Sequence, residues 1–299
     1  MQKILVTGAT GNVGSRVVPE LRGRGVPVRA FVRDADKAAA MLGDDVELAV
    51  GDFGDPGSIQ AALYGVDGVF LACSNQPQQV EYETRVIDAA EEAGVRRLVK
   101  LSALGTEFRS PVAFWDWHAR IENHLRASDV PFVILRPTFS MANVLASAEA
   151  VQYTSKLFVP AGDAGIAMIH PQDVAAVASV ALVEERHEGK TYTLTGPDAI
   201  TFGQVAGYLW EALGREIEYL NVPDEVALHS MVEQGLPEFV AGQIVTVFGF
   251  LRGGAQEQTT DTVRTLTGRD PGGFAEFASQ HARLFAPPTI QQEESEKAS

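Results

Sequence analysis

The chain has 299 residues, 45% of them hydrophobic, which is enough for a large α/β domain and a smaller lobe around a sizeable core. A formal charge of −15 argues against nucleic acid or an anionic membrane as a direct partner, since both need a basic surface. The single cysteine, Cys73, has no partner for an intrachain disulfide and fits a reducing cytosol. No apolar run reaches the ~18 residues that span a bilayer, and the chain opens straight into a strand pattern with no signal peptide, so a cytoplasmic protein is expected.

The first stretch is Lys3-Ile4-Leu5-Val6-Thr7-Gly8-Ala9-Thr10-Gly11-Asn12-Val13-Gly14. Its β-branched apolar run predicts a buried parallel strand, and helical spacing begins at Val13 and continues to Leu21. In the turn between them, Gly8 allows a sharp bend, Gly11 lets backbone approach a diphosphate, and Gly14 lets helix and strand pack closely. Amides of the turn residues Thr10, Asn12 and Val13 then face the phosphates. A glycine pattern placed between strand and helix in this way predicts a nucleotide-binding βαβ unit.

A second strand, Val28–Val32, ends at Arg33. An acidic residue there would favour NAD; an arginine suits a 2′-phosphate and favours NADP, with Lys37 as a second positive charge. Asp34 and Asp36 are expected to cap the next helix. A third strand, 46–50, leads to Gly51-Asp52-Phe53, where Asp52 is placed to bond the adenine amino group and Phe53 to lie against the ring. Helix 56–63 and strand 68–72 follow. The small residues Ala72, Cys73 and Ser74 at that strand end let a ribose sit close, and nothing local would activate Cys73 as a nucleophile.

Helix 80–93 and strand 97–101 continue the alternation to Ser102-Ala103-Leu104-Gly105. A helix beginning near Phe114 puts Phe114, His118 and Glu122 on one face. Strand 131–135 then runs to the Pro137 break, so Pro137, Thr138 and Phe139 should border the nicotinamide end of the cleft. Beyond it the alternation lapses. Short strands are expected at 156–159 and 165–168, with the turn 169–173 capping helix 174–183. Strand 191–194 should return to the main sheet. The remainder reads as helices 201–212, 224–233, 237–251, 261–266 and 273–285, with a strand at 216–220. The expected fold is a Rossmann-type, doubly wound parallel sheet with a smaller, mostly helical C-terminal substrate lobe. The sheet domain takes residues 1–138 with 171–196 returning to it, and the second lobe takes 139–170 and 197–286. Residues 287–299 are polar and read as a disordered tail.

The run Thr7-Gly8-x-x-Gly11-x-x-Gly14, Val32-Arg33 with Lys37, Gly51-Asp52-Phe53, Leu101-Ser102-Ala103-Leu104-Gly105, His118-x-x-x-Glu122, Leu135-Arg136-Pro137 and Asn143 resembles the NmrA-like branch of the atypical, extended-type short-chain dehydrogenase/reductases. Leu213-Gly214-Arg215, Gly235-Leu236-Pro237 and Leu266-Thr267-Gly268-Arg269 extend the resemblance through residue 285. That branch contains quinone and carbonyl reductases, isoflavone-reductase-like enzymes and redox-sensing regulators that bind nicotinamide dinucleotide. The resemblance implies that the helix beginning at Phe114 is the one that elsewhere carries a Tyr-x-x-x-Lys acid pair. Here Phe114 takes the tyrosine position and His118 the lysine position. The superfamily's catalytic serine falls at Ser102, Ala103 or Leu104.

Phenylalanine has no proton to give, so another donor is needed for an oxyanion left by hydride transfer. His118, an ordered water and a phenol carried by the substrate are the three open sources, the last two suiting an aromatic ketone or quinone. Phe114, Trp115, Trp117, Phe139, Met141 and Phe158 suit a flat apolar ligand. The expected activity is NADPH-dependent reduction of a quinone or carbonyl, such as an aromatic polyketide-type ketone, by a monomer or homodimer. The alternative is a dinucleotide sensor acting through protein partners. No group of Cys, His or acids has metal-ligand spacing.

Overall fold

The computed structural model describes residues 3–287; the remainder of the expected tail lies outside the described residues. Six strands, β1 (Ile4–Val6), β2 (Val28–Val32), β3 (Glu47–Val50), β4 (Gly68–Leu71), β5 (Arg97–Leu101) and β6 (Phe132–Pro137), alternate with helices α1 (Gly14–Gly23), α2 (Ala35–Leu42), α3 (Pro56–Leu63), α4 (Gln79–Glu92) and α5 (Ala113–Ala127). After β6 come β7 (Lys156–Val159) and β8 (Thr191–Leu194). β8 joins the edge of the main sheet beside β6, giving an all-parallel order β3-β2-β1-β4-β5-β6-β8. The order reverses between β1 and β4, and the carboxyl ends there open the crevice in which such sheets hold ligands.

Both faces of the sheet are covered, so its central strands are apolar on both sides. Val17, Val18 and Leu21 of α1 and most of α7 (Pro171–Val183) pack on one face. On the other, Ile59 and Leu63 of α3, Val86 and Ile87 of α4, and Ile121 and Leu125 of α5 form a second layer. α7 is buried almost all round because it is wedged between α1, the sheet and α11 (Thr262–Thr267). Its N-cap is His170, whose Nδ1 accepts from the Gln172 amide at 3.0 Å, so the helix starts at Pro171, three residues earlier than the start at 174 expected from sequence.

The second lobe has its own apolar core, including Met141, Leu157, Phe202, Leu209, Phe248 and Phe277. It is built from a 3-10 turn (Met141–Ser147), α6 (Ala148–Thr154), α8 (Phe202–Leu213), α9 (Asp224–Glu233), α10 (Glu238–Arg252) and α12 (Phe274–Phe285). β7 and β9 (Glu218–Asn221) pair in parallel within it. The expected strand at 165–168 is not a strand. Only an isolated antiparallel bridge joins Ile166 to Ile200, because the segment is held across the lobe junction: the Ala167 amide bonds to Gln256 O and its carbonyl receives the Thr138 hydroxyl.

Candidate active site

The glycine turn shows a cradle that side chains would fill. A Cβ on Gly14 would lie 2.2 Å from the Gly8 carbonyl oxygen, and Gly8 itself adopts φ +59°. Thr7 fastens the turn to the end of β4, its hydroxyl accepting from the Ala72 amide at 2.8 Å. No side-chain oxygen caps α1, and Gly11 and Asn12 are exposed. A helix start left uncapped beside a glycine cradle suits a diphosphate. Gly8, Thr10, Gly11, Asn12 and Val13 therefore sit in one loop, with Ala72, Cys73 and Ser74 alongside at the end of the neighbouring strand.

Arg33 and Lys37 are exposed, at the end of β2 and in the first turn of α2, with no ion-pair partner among the described residues. Asp34 is occupied as the α2 cap, accepting from the Lys37 amide at 3.0 Å. Asp52 accepts from the Gly54 amide at 2.7 Å in a tight turn, and Phe53 packs between Phe31 and Tyr82. Burial and the nearby Glu83 carboxylate push the Cys73 thiol up, which keeps it unreactive.

Ser102 follows directly on β5 and is buried. Its hydroxyl donates to Glu122 Oε1 at 2.6 Å. Glu122 also receives the forked guanidinium of Arg136, at 2.9 and 2.6 Å, and Arg126 at 2.8 Å. Burial works to raise this carboxyl; the bonds from Arg136 and Ser102 outweigh it and hold the group below the usual carboxylate range.

His118 lies one turn before Glu122 and is buried. Its Nδ1 is 3.2 Å from Nζ of Lys100, a side chain fully buried in β5. Lys100 Nζ also forms an ion pair with Glu83 Oε2 at 2.8 Å and donates to the Leu101 carbonyl. Gln79 donates to the other Glu83 oxygen at 2.9 Å. Burial, then the charges of Lys100 and Arg136, pushes the His118 imidazole well below its ordinary range, so it is neutral at physiological pH.

At the end of β6, Thr138 is buried and its hydroxyl donates to Ala167 O at 2.5 Å. The Phe139 amide donates to Gln256 Oε1 at 2.6 Å, and its ring meets Phe202 and Phe248. Joined to this end through Gln256 is an aromatic wall that packs α5 against α10, in which Phe114 and Trp115 are themselves buried. Phe114 and Trp117 lie 5.6 Å apart, Trp117 stacks on Phe239 at 6.1 Å, and Trp115 meets Phe250 edge-on at 5.1 Å. Trp115, Phe250, Gly105, Pro111 and Gln256 line a cavity of about 260 Å³.

Two expected ligand contacts stand apart from this wall. Met141 is 1% exposed in the core of the second lobe, because the 3-10 turn directs it inward. Phe158 is 42% exposed: strand alternation sends Leu157 and Val159 to the core and Phe158 outward. Lys100, Glu83 and Gln256 had not been singled out. A lysine inside the apolar run Arg97-Leu98-Val99-Lys100-Leu101 was the one available signal, since unpaired lysine is almost never fully buried.

The sequence profile of the NmrA-like family matches residues 1–271. The chain is 36% identical over 282 residues to an NAD(P)H azoreductase of Xenophilus azovorans, covering 94% of this chain and 99% of that one. It is 37% identical over 285 residues to a (4-alkanoyl-5-oxo-2,5-dihydrofuran-3-yl)methyl phosphate reductase of Streptomyces griseus subsp. griseus, covering 95% and 99%. The crystal structure of an NADPH-dependent quinone oxidoreductase of Escherichia coli complexed with NADPH superposes with a TM-score of 0.83 at 31% identity, covering 93% and 99%.

Proposed function

The chain belongs to the NmrA-like family, and from that premise we propose that it is an NADPH-dependent reductase of a flat conjugated carbonyl compound, a quinone or an aromatic ketone of polyketide type. The relatives that use NAD(P)H, and the solved one that binds NADPH, support the cofactor. The turn from Gly8 to Val13 would hold the diphosphate, Arg33 and Lys37 the 2′-phosphate, and Asp52 and Phe53 the adenine. Ala72, Cys73 and Ser74 would border the ribose, and Pro137, Thr138 and Phe139 the nicotinamide. When bound, NADPH supplies a hydride.

The observation that carries the acceptor class is the aromatic wall from Phe114 to Phe250 beside the end of β6. Large π faces at a lobe junction favour a flat apolar ligand and exclude water from its far side. Holding two reactants face to face contributes roughly 7–11 kcal/mol to lowering a barrier, which is the service this wall performs. Phe114 offers no proton. A quinone, whose reduced oxygens are less basic than an alkoxide, and a ketone with a neighbouring phenol demand the least from such a site.

The test is consumption of NADPH, followed by its near-ultraviolet absorbance, against a panel of quinones, polycyclic ketones and hydroxylated polycyclic ketones. Turnover is expected with members of the panel. Tight binding of both redox forms of the cofactor with no turnover on any acceptor would overturn the reading in favour of a dinucleotide sensor.

A further inference from the structure

Lys100 is an anomaly in its strand. A central strand covered on both faces needs no buried ion pair, and apolar residues of the same volume are often as stable or more so. Yet Lys100 and Glu83 are both fully buried, and their contact adjoins the carboxyl end of β5, where Ser102 and the lobe junction begin. An ammonium has three N–H donors and no lone pair. Here its three neighbours are the Leu101 carbonyl, Glu83 Oε2 and His118 Nδ1. His118 Nδ1 must therefore be the acceptor, which puts the imidazole proton on Nε2. That nitrogen has no hydrogen-bond partner among the described residues and, in a side chain that is otherwise buried, is not fully sealed from solvent.

We propose that Lys100 is a positioning residue for the reduction: it fixes His118 as the Nε2–H tautomer facing the reacting oxygen, and resupplies the proton when that oxygen takes it. The inference rests on the reductase reading. Once the hydride and its two electrons have reached the acceptor, the oxygen holds an extra electron pair. An O–H bond forms as His118 Nε2–H breaks, and an Nδ1–H bond forms as one Lys100 Nζ–H breaks. The oxygen is neutralised, His118 stays neutral as the other tautomer, and Lys100 becomes an amine beside the Glu83 carboxylate. No electrons move between residues in this step. After product leaves, the uncompensated charge of Glu83 draws a proton back from cleft water through the same imidazole. The groups facing His118 are Lys100 on β5 and Arg136 on β6, with Glu83 on α4 behind Lys100 and Glu122 one turn along α5.

The test compares wild type, Lys100→Met and the double variant Glu83→Gln/Lys100→Met, which removes both charges so that neither is stranded. Two acceptors are used: 1,4-naphthoquinone, which has no proton donor of its own, and 5-hydroxy-1,4-naphthoquinone, whose phenol lies beside a carbonyl. With the first, both variants should lose about 100-fold or more in kcat with KM little changed, the usual size of a lost acid. With the second, losses should stay within a few-fold. Independently of turnover, nitrogen-15 NMR of the cofactor-free protein at neutral pH should show His118 neutral and protonated on Nε2, and mixed tautomers in both variants. Equal losses with both quinones, or a wild-type Nδ1–H tautomer, would overturn the proposal. If wild type reduces neither quinone, the reductase reading fails, while the NMR still decides the tautomer and with it the role of Lys100.

Discussion

The hydroxyl of Ser102 donates to Glu122 Oε1 at 2.6 Å, both groups being buried. A serine committed to a carboxylate that already holds two arginines is a strut between β5 and α5. Ser102→Ala should lower stability by about 1.5–3 kcal/mol, the range for a hydrogen bond to a charged group. It should leave kcat within about threefold of wild type, whereas losing a general acid costs roughly 10²–10⁴-fold. Denaturant titration and steady-state kinetics on a quinone check the two halves, and a hundredfold fall in kcat would return Ser102 to the chemistry.

Glu122 sets an acid limit. Its carboxyl is held below the usual range in the folded state, so its contribution to stability is complete above the unfolded value near about 4.3 and is lost as pH falls through the lower folded value. Glu122→Gln removes that dependence. It also leaves Arg136, about a quarter exposed at its side chain, facing a neutral amide, and should cost about 3–5 kcal/mol at neutral pH. Melting temperature against pH should therefore show the variant well below wild type at pH 7 and the gap closing below about pH 4.

The sheet was legible because each strand is a short apolar run bounded by turn residues, and because the glycine spacing around Gly8, Gly11 and Gly14 has one good structural use. The return of β8 to the main sheet was legible from the strand pattern at 191–194 after the α7 segment, but its pairing with β6 was not. What escaped reading depended on contacts distant in sequence. Ile166 and Met168 look like a strand, but the backbone around them bonds to Gln256 and Thr138 across the lobe junction. Met141 and Phe158 have the right chemistry for a ligand wall, yet a 3-10 turn and strand alternation decide where they point. The Lys100–Glu83 pair spans two elements, and no local spacing announces it.

Arg33 and Lys37 bear on cofactor choice. Arg33→Asp replaces a free cation at the end of β2 with an anion beside the expected 2′-phosphate. NADPH affinity should fall by about 1.5–3 kcal/mol, roughly 10–100-fold, and NADH affinity should change little. Calorimetric titration with both dinucleotides measures this, and equal losses would remove Arg33 from the phosphate site. Lys37→Ala should give a smaller change in the same direction, and raised salt should narrow the difference between the two cofactors.

Two glycines of α1 should respond in opposite ways to alanine. At Gly14 the added methyl would lie 2.2 Å from the Gly8 carbonyl oxygen and 3.0 Å from Ala9 Cα, so the helix must retreat from the turn. Dinucleotide binding should be abolished and stability reduced. At Gly23, in the last turn, nothing lies within 4 Å of the new methyl, and alanine should stabilise by about 0.4–1 kcal/mol through the unfolded chain. Comparing melting temperatures of the two variants tests whether close backbone approach, rather than helix propensity, governs the first position.

Gln256 couples the lobes. It is buried, accepts from the Phe139 amide at 2.6 Å and donates to the Leu104 carbonyl at 3.3 Å. It thereby ties the ends of β5 and β6 to the segment following α10. Leucine has similar bulk but would leave the Phe139 amide unpaired, at a cost of about 1–3 kcal/mol. Because Phe139 borders the expected nicotinamide position and Gln256 lines the cavity with Trp115, the loss should also be felt in function. Gln256→Leu should raise KM for a quinone more than it lowers kcat, since the wall proposed to orient the acceptor loosens while the proposed proton path through His118 is untouched. Gln256→Glu tests the geometry. A carboxylate can still accept from Phe139 but repels the Leu104 carbonyl, so it should restore the amide's partner and leave the lobes poorly joined. If both variants match wild type in melting temperature and KM, the two lobes are held together by the aromatic contacts alone.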